Sequence, residues 1–230
     1  MILGASLVLS LILICCQSPD KGVLSRSAIP LEVFPELDYL DMKPPGMEPE
    51  LFAPGWISTE YHDDGAPLFS PDGSEVYFRI AGKPQSLIFK MEFREGVWTK
   101  PMLDSMQCRY GFQFSVFSTD GRRRYFSTKW RPDGSEGPDS DMFYMEKRAD
   151  GWSEPVRLLG PVNTDKDELL LHVTSSGDIY FAADYPMNEN TYPKGEGSMD
   201  LYVSRPKDGE YLYPENLSGI NTEYVETSCT

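Results

Sequence analysis

The chain has 230 residues, enough for one sizeable domain or two small ones. Its formal net charge of −15 excludes the basic surface that nucleic-acid binding needs and sets up weak repulsion from anionic membranes. With 19 Gly, 19 Pro and 13% aromatic residues, the composition points to an all-β fold of many short strands joined by turns.

In chain order, the first element is an apolar run, MILGASLVLSLILIC, without a charge over residues 1 to 15. It is too short to span a bilayer comfortably and is followed at once by the polar QSPDKG, the pattern of a secretory signal. LICC, residues 13 to 16, resembles the lipobox of bacterial lipoproteins, in which a Cys after small or apolar residues is lipidated and becomes the mature N-terminus. By that resemblance Cys16 is the lipid attachment site, with Cys15 as the alternative; an ordinary cleaved signal or a short anchor is the other reading of these residues. The implied address is the periplasm or the outer-membrane surface of a bacterium, with membrane contact only through this N-terminal segment. Residues 17–45 carry scattered prolines and no sustained period, as a tether does. Cys108 and Cys229 lie far apart and read as isolated thiols, with neither a disulfide framework nor CxxC metal spacing.

From residue 46 onward the pattern is one of repeats. Gly73 in PLFSPDGSEVYFRI, Gly121 in FSVFSTDGRRRYFST and Gly177 in LLHVTSSGDIYFAAD occupy matching neighbourhoods, at intervals of about fifty residues. A second signal follows each, in REGVWTKP, ADGWSEPVRL and KDGEYLYPENL, with Pro101, Pro155 and Pro214 as landmarks. In SPDG, Pro71 presets φ, Asp72 tolerates the next turn position and Gly73 supplies the left-handed residue. Beyond it Val76, Phe78 and Ile80 alternate with Glu75, Tyr77 and Arg79, the period of a strand. Each repeat therefore predicts four antiparallel strands, A to D, the last tolerating Pro as an outer strand.

A four-stranded repeat of this length points to the blade of a β-propeller. The predicted blades run over about residues 64–108, 109–165 and 166–224. Residues 48–59, EPELFAPGWIST, align with EPVRLLGPVNT and PENLSGINT and read as an orphan D strand. Three blades and one orphan strand are too few to close a ring, so the expectation is an incomplete propeller that continues beyond NTEYVETSCT or is completed by other chains.

The combination of FSPDG and VYF with GWSEPVRLLGPVNT and DLYVSRPKDG resembles the WD40-like beta-propeller repeat of the PD40 or TolB-like type, over residues from roughly 48 to the end. The resemblance implies a periplasmic or surface-attached interaction module; some related propellers act on carbohydrates.

Antiparallel strands put the tight A–B and C–D turns on one side and the B–C and D–A loops on the other. The B–C loop is short in the first repeat, AGKPQS, and long in the next two, residues 129–141 and 184–200. Long loops on a rigid scaffold favour binding. The candidate ligand face is therefore Trp130, Arg131, Tyr185 and Tyr192, with Arg109 and Asp165 from D–A loops; aromatic and Arg side chains suit sugars or a protein partner. NTDKDE, residues 163 to 168, echoes the start of a calcium loop, but Glu168 stands where that loop needs Gly, so turn chemistry is the better reading. His172 falls among strand A residues and is expected to be a packed core or channel-lining side chain, while His62 sits in a loop beside Asp63 and Asp64. GxSxG, HExxH, P-loop and GxGxxG patterns do not occur, so no cofactor, metal or catalytic residue is assigned. Two functions follow: a non-catalytic envelope module binding protein or glycan, and, as the alternative, a carbohydrate-active lyase or glycosidase-like propeller.

Overall fold

The computed structural model describes residues 47–48, 50–54, 57–58, 66–80, 86–112, 114–185 and 199–227. The signal, the tether, Cys16, His62 and Tyr192 lie outside them. The fold is all-β, built of antiparallel sheets in chain order with, among the described residues, one short helix. No helix among the described residues is long and apolar enough to cross a membrane.

Contacts divide the chain into two compact units, one holding Ser74–Arg109 with the residues up to Pro67, the other Leu68–Gly73 and the residues from Tyr110 onward. The short strand β1 is Leu68–Phe69. In the first unit, β2 (Glu75–Ile80) pairs with β3 (Leu87–Arg94), and β3 with β4 (Val97–Trp98) and β5 (Met102–Leu103). Val76, Tyr77 and Phe78 are all buried, so the strand is covered on both faces, and Phe78 stacks on its cross-strand partner Phe89 at 5.8 Å. Residues Ser105–Tyr110 then form helix α1, which the strand pattern does not anticipate. Its start is held by Asp104, whose Oδ1 accepts from Met106 N at 3.0 Å, the role of a helix N-cap.

The second unit holds two further sheets. In one, β6 (Ser115–Phe117), β7 (Arg123–Trp130) and β8 (Glu136–Arg148) run as a meander, and β9 (Gly151–Trp152) and β10 (Val156–Arg157) pair back on β8. In the other, β11 (Glu168–Val173), β12 (Ile179–Ala183), β13 (Asp200–Ser204) and β16 (Glu215–Asn216) follow in order, with β14 (Pro206–Lys207) and β15 (Glu210–Tyr211) as a separate hairpin. Between them lies a core of Tyr125, Met142, Leu158, Val162, Leu170, Val173, Phe181 and Tyr202. Every residue of β13 is buried, as expected for a strand packed on both faces.

The predicted turns form as read. Gly73, Gly121 and Gly177 all have positive φ, and each donates its N–H to the residue three before it, Ser70, Ser118 or Thr174. Ser70 and Ser118 hydroxyls each donate to the turn aspartate at 2.6 Å. Two of the three C–D turns use paired positive φ, at Glu95–Gly96 and Asp208–Gly209, the hairpin geometry that matches strand twist; at the other, Gly151 alone has positive φ.

Four expectations are corrected. The described part of residues 48–59 holds no named strand: an isolated bridge joins Pro54 and Ser58, and Ile57 N donates to Ala53 O, so the backbone turns on itself. Residues 129–141 are not an open loop, because β7 and β8 extend through them to a tight turn in which Arg131 N donates to Ser135 O and Gly134 N to Arg131 O. His172 is exposed, beside a β-bulge at the register shift between Leu170 and His172, so its reading as a packed core residue does not hold. Cys108 is no free thiol: it is disulfide-bonded, to a partner outside the described residues.

Candidate functional site: the ion-pair joint between two sheets

The strongest gathering of charged side chains stands where the second sheet hands the chain to the third. Beyond Trp130 the hairpin reverses, and the Arg131 guanidinium folds back over it. Its Nη1 donates to the carbonyls of Lys129 at 3.1 Å and Trp130 at 3.2 Å, and its Nη2 to the carbonyl of Asp139 at 3.0 Å. A Cβ on Gly137 would fall on that guanidinium, so the glycine is what lets it lie flat there. Nη2 also pairs with Asp139 Oδ1 at 3.4 Å and Asp141 Oδ2 at 3.3 Å.

Asp141 is buried, and Arg157 of β10 grips it with two parallel bonds, Nη2 to Oδ1 at 2.8 Å and Nε to Oδ2 at 3.0 Å. Asp141 holds the Arg157 guanidinium above its usual range, since the hydrogen bond favours the charged form.

Glu168, the first residue of β11, completes the cluster with no solvent exposure. Its Oε1 accepts from Thr164 N at 3.1 Å and Thr164 Oγ1 at 2.5 Å, while Oε2 has no hydrogen-bond partner. Burial pushes its carboxyl up to about 8, Asp141 and Asp139 pushing the same way, against the Thr164 hydrogen bonds. At neutral pH it is a neutral acid beside two carboxylates that the guanidinium groups balance. Outside this buried core, Lys129 approaches Asp167 at 3.8 Å, and Asp167 Oδ1 accepts from Ser140 N at 2.7 Å.

The same device recurs in part. Asn163 Oδ1 accepts from Met142 N at 2.6 Å, and its Nδ2 donates to the carbonyls of Met142 at 3.0 Å and Leu158 at 3.1 Å. Asn221 treats Leu201 likewise, accepting from N at 2.8 Å and donating to O at 3.0 Å. Thr222 N and Oγ1 then donate to Glu226 Oε1 at 3.2 and 2.5 Å, as Thr164 does to Glu168. The side-chain amide takes the place of a missing strand residue in the ladder. NTDKDE is thus a turn in which Thr164 caps Glu168, and among the described residues no group of His, Cys, Asp and Glu is arranged to hold a metal ion.

Of the residues picked from sequence, Arg131 belongs to this cluster, and Asp165 lies exposed in the turn that leads to Glu168. Trp130 is half-buried, its ring edge-on to Tyr110 at 5.0 Å and Phe143 at 6.0 Å, so much of the indole is committed to packing. Tyr185 is a core residue: it is buried against Phe181 and Tyr202, and its hydroxyl donates to Val162 O at 3.2 Å. Arg109 lies exposed on α1 in the first unit. Sequence reasoning missed Asp139, Asp141, Arg157 and Glu168. The available signal was the recurrence of Asn-Thr-x-x-x-Glu at 163–168 and 221–226, with Asp141 and Asp200 at matching places. No family model matches the chain, and no curated protein matches it.

Proposed function

We propose that the chain is a non-catalytic interaction module of the bacterial cell envelope, a β-propeller scaffold attached through a lipid on Cys16 and binding a protein or glycan by its B–C and D–A loop side. The observation that carries the reading is the repeated joint, in which Asn163 and Asn221 bind their sheets in the same way. A joint that recurs from one antiparallel sheet to the next belongs to stacked repeats, and propellers build their binding surface from the loops of such repeats. The converging carboxylates favour binding over acid–base chemistry at this place, because Asp139 and Asp141 are engaged by Arg131, and Asp141 by Arg157 as well. Close by in the chain, Lys129, Asp165 and Asp167 are exposed and Trp130 is half-buried, and Lys129 approaches Asp167 at 3.8 Å; charged and aromatic groups of this kind suit an interface.

The test is a glycan array on the full chain beside a pull-down from bacterial envelope extract. A captured protein or glycan that is lost in Lys129→Ala and Trp130→Ala variants supports the reading. Product release from any polysaccharide overturns it. Labelled palmitate incorporated by the wild type and lost in Cys16→Ser checks the anchor independently; loss in Cys15→Ser alone moves the attachment to the alternative residue.

A further inference from the structure

The seam between the second and third sheets is bridged on both sides of one buried acid. Ser140 N of β8 donates to Asp167 Oδ1 at 2.7 Å, and Leu170 N of β11 donates to Ser127 Oγ of β7 at 2.9 Å. Glu168 stands between these two bonds with no solvent exposure, its Oε1 held by Thr164 and its Oε2 without a hydrogen-bond partner. A buried carboxyl oxygen left without a partner costs far less in the neutral acid than in the anion.

The charges around it leave nothing over to balance a further negative one. From β8 come Asp139 and Asp141, from the β7–β8 hairpin Arg131, and from β10 Arg157, so two guanidinium groups match two carboxylates. The register Glu168–Ala183–Asp200 sets the buried Asp200 of β13 on the same face of the third sheet, another acid. On its own turn and strand, Asp165, Asp167 and His172 are exposed and Lys166 is half-buried. Tyr125, Tyr185 and Tyr202 are phenols of the adjoining core. An ionised Glu168 is therefore an excess charge in a sealed seam, and opening the seam gives it water. The rise of its carboxyl to about 8, caused first by burial, agrees with that geometry.

We propose that Glu168 is a proton-operated latch: with its proton it holds the start of β11 and the turn 163–167 against the second sheet, and loss of the proton releases them locally while both sheets stay folded. The bonds released are Ser140–Asp167 and Leu170–Ser127, one on each side of the acid. In the opened segment the carboxyl titrates near its ordinary 4.5, whereas the closed seam keeps the proton until about 8. Opening is therefore rarest below the first value, becomes about tenfold more frequent with each pH step of one, and levels off above the second. The order of the turn 163–167 thus becomes a function of ambient pH.

The experiment is native-state amide hydrogen exchange on the full chain from pH 5 to 9, with and without dilute urea, each rate divided by the intrinsic rate at that pH. In wild type, protection of the Ser140 and Leu170 amides is expected to fall about tenfold per pH unit, to level off above about pH 8, and to ignore dilute urea, the mark of a local opening. Ladder amides inside β7 and β8 are expected to exchange only through urea-sensitive unfolding. Glu168→Gln is expected to abolish the pH slope at Ser140 and Leu170, and Asp139→Asn, which removes one neighbouring negative charge, to move the levelling point to lower pH. Three results overturn the proposal: wild-type protection at Ser140 and Leu170 that does not change with pH, urea dependence there equal to that of the ladder amides, or a slope that survives in Glu168→Gln. The first two are read on wild type alone, so they decide even if Glu168→Gln does not fold.

Discussion

Replacing Glu168 by Gln will flatten the dependence of stability on pH between mildly acid and mildly alkaline solution. Glu168 is fully buried at the start of β11, and burial raises its carboxyl from 4.5 to about 8. In the unfolded chain the same group titrates near its ordinary value, so the folded state holds the proton more tightly. Its stabilising effect is complete below the unfolded value of 4.5 and is lost progressively as pH rises, until the folded value of about 8 is passed. Each pH step of one between those two values removes about 1.4 kcal/mol, so the loss across the window is at most about 5 kcal/mol, comparable with the whole stability of a small domain. Gln keeps an oxygen for the Thr164 amide and hydroxyl and has no proton to lose. Urea unfolding at half-unit steps from pH 5 to 9 reads the difference directly. The two proteins are expected to lie close together at pH 5, after which wild type falls and Glu168→Gln stays level relative to it. Parallel slopes would refute the assignment of a buried, proton-holding carboxyl.

Two further substitutions probe the joint between the sheets. Gly160→Ala places a Cβ on the Tyr211 backbone at a φ of +101°, and a cost of about 3 kcal/mol is expected in thermal or urea unfolding; Gly219→Ala, in open space, is expected to change stability by less than about 0.5 kcal/mol. Asn163→Ala leaves the amide of Met142 without its acceptor and is expected to cost about 2 kcal/mol, while Asn221→Ala, beside the exposed Ile220, costs about 1 kcal/mol. Equal losses for Asn163→Ala and Asn221→Ala would remove the distinction between a covered and a bare joint.

What the amino-acid order determined alone is what depends on neighbours along the chain. Ser-x-Asp-Gly and Thr-Ser-Ser-Gly make tight turns because a left-handed glycine and a side-chain bond two residues away suffice to form them, and all three appear where the repeat places them. The strand runs between those turns follow from alternation, and so the antiparallel sheets and their meander order were legible. Asp104 caps α1, a helix that the strand pattern did not anticipate. The tertiary structure decided which faces are covered and which charges meet. Asp139 and Asp141 read as loop acids until the extended hairpin swings Arg131 over them, and Glu168 reads as a turn residue until its own strand buries it. Tyr185 follows a strand into the core, whereas a bulge turns His172 out. Val162 and Ile220 occupy equivalent places in nearly the same local sequence, yet one is sealed and the other is open. Burial belongs to the element that lies on top, and that element is brought there by distant parts of the chain.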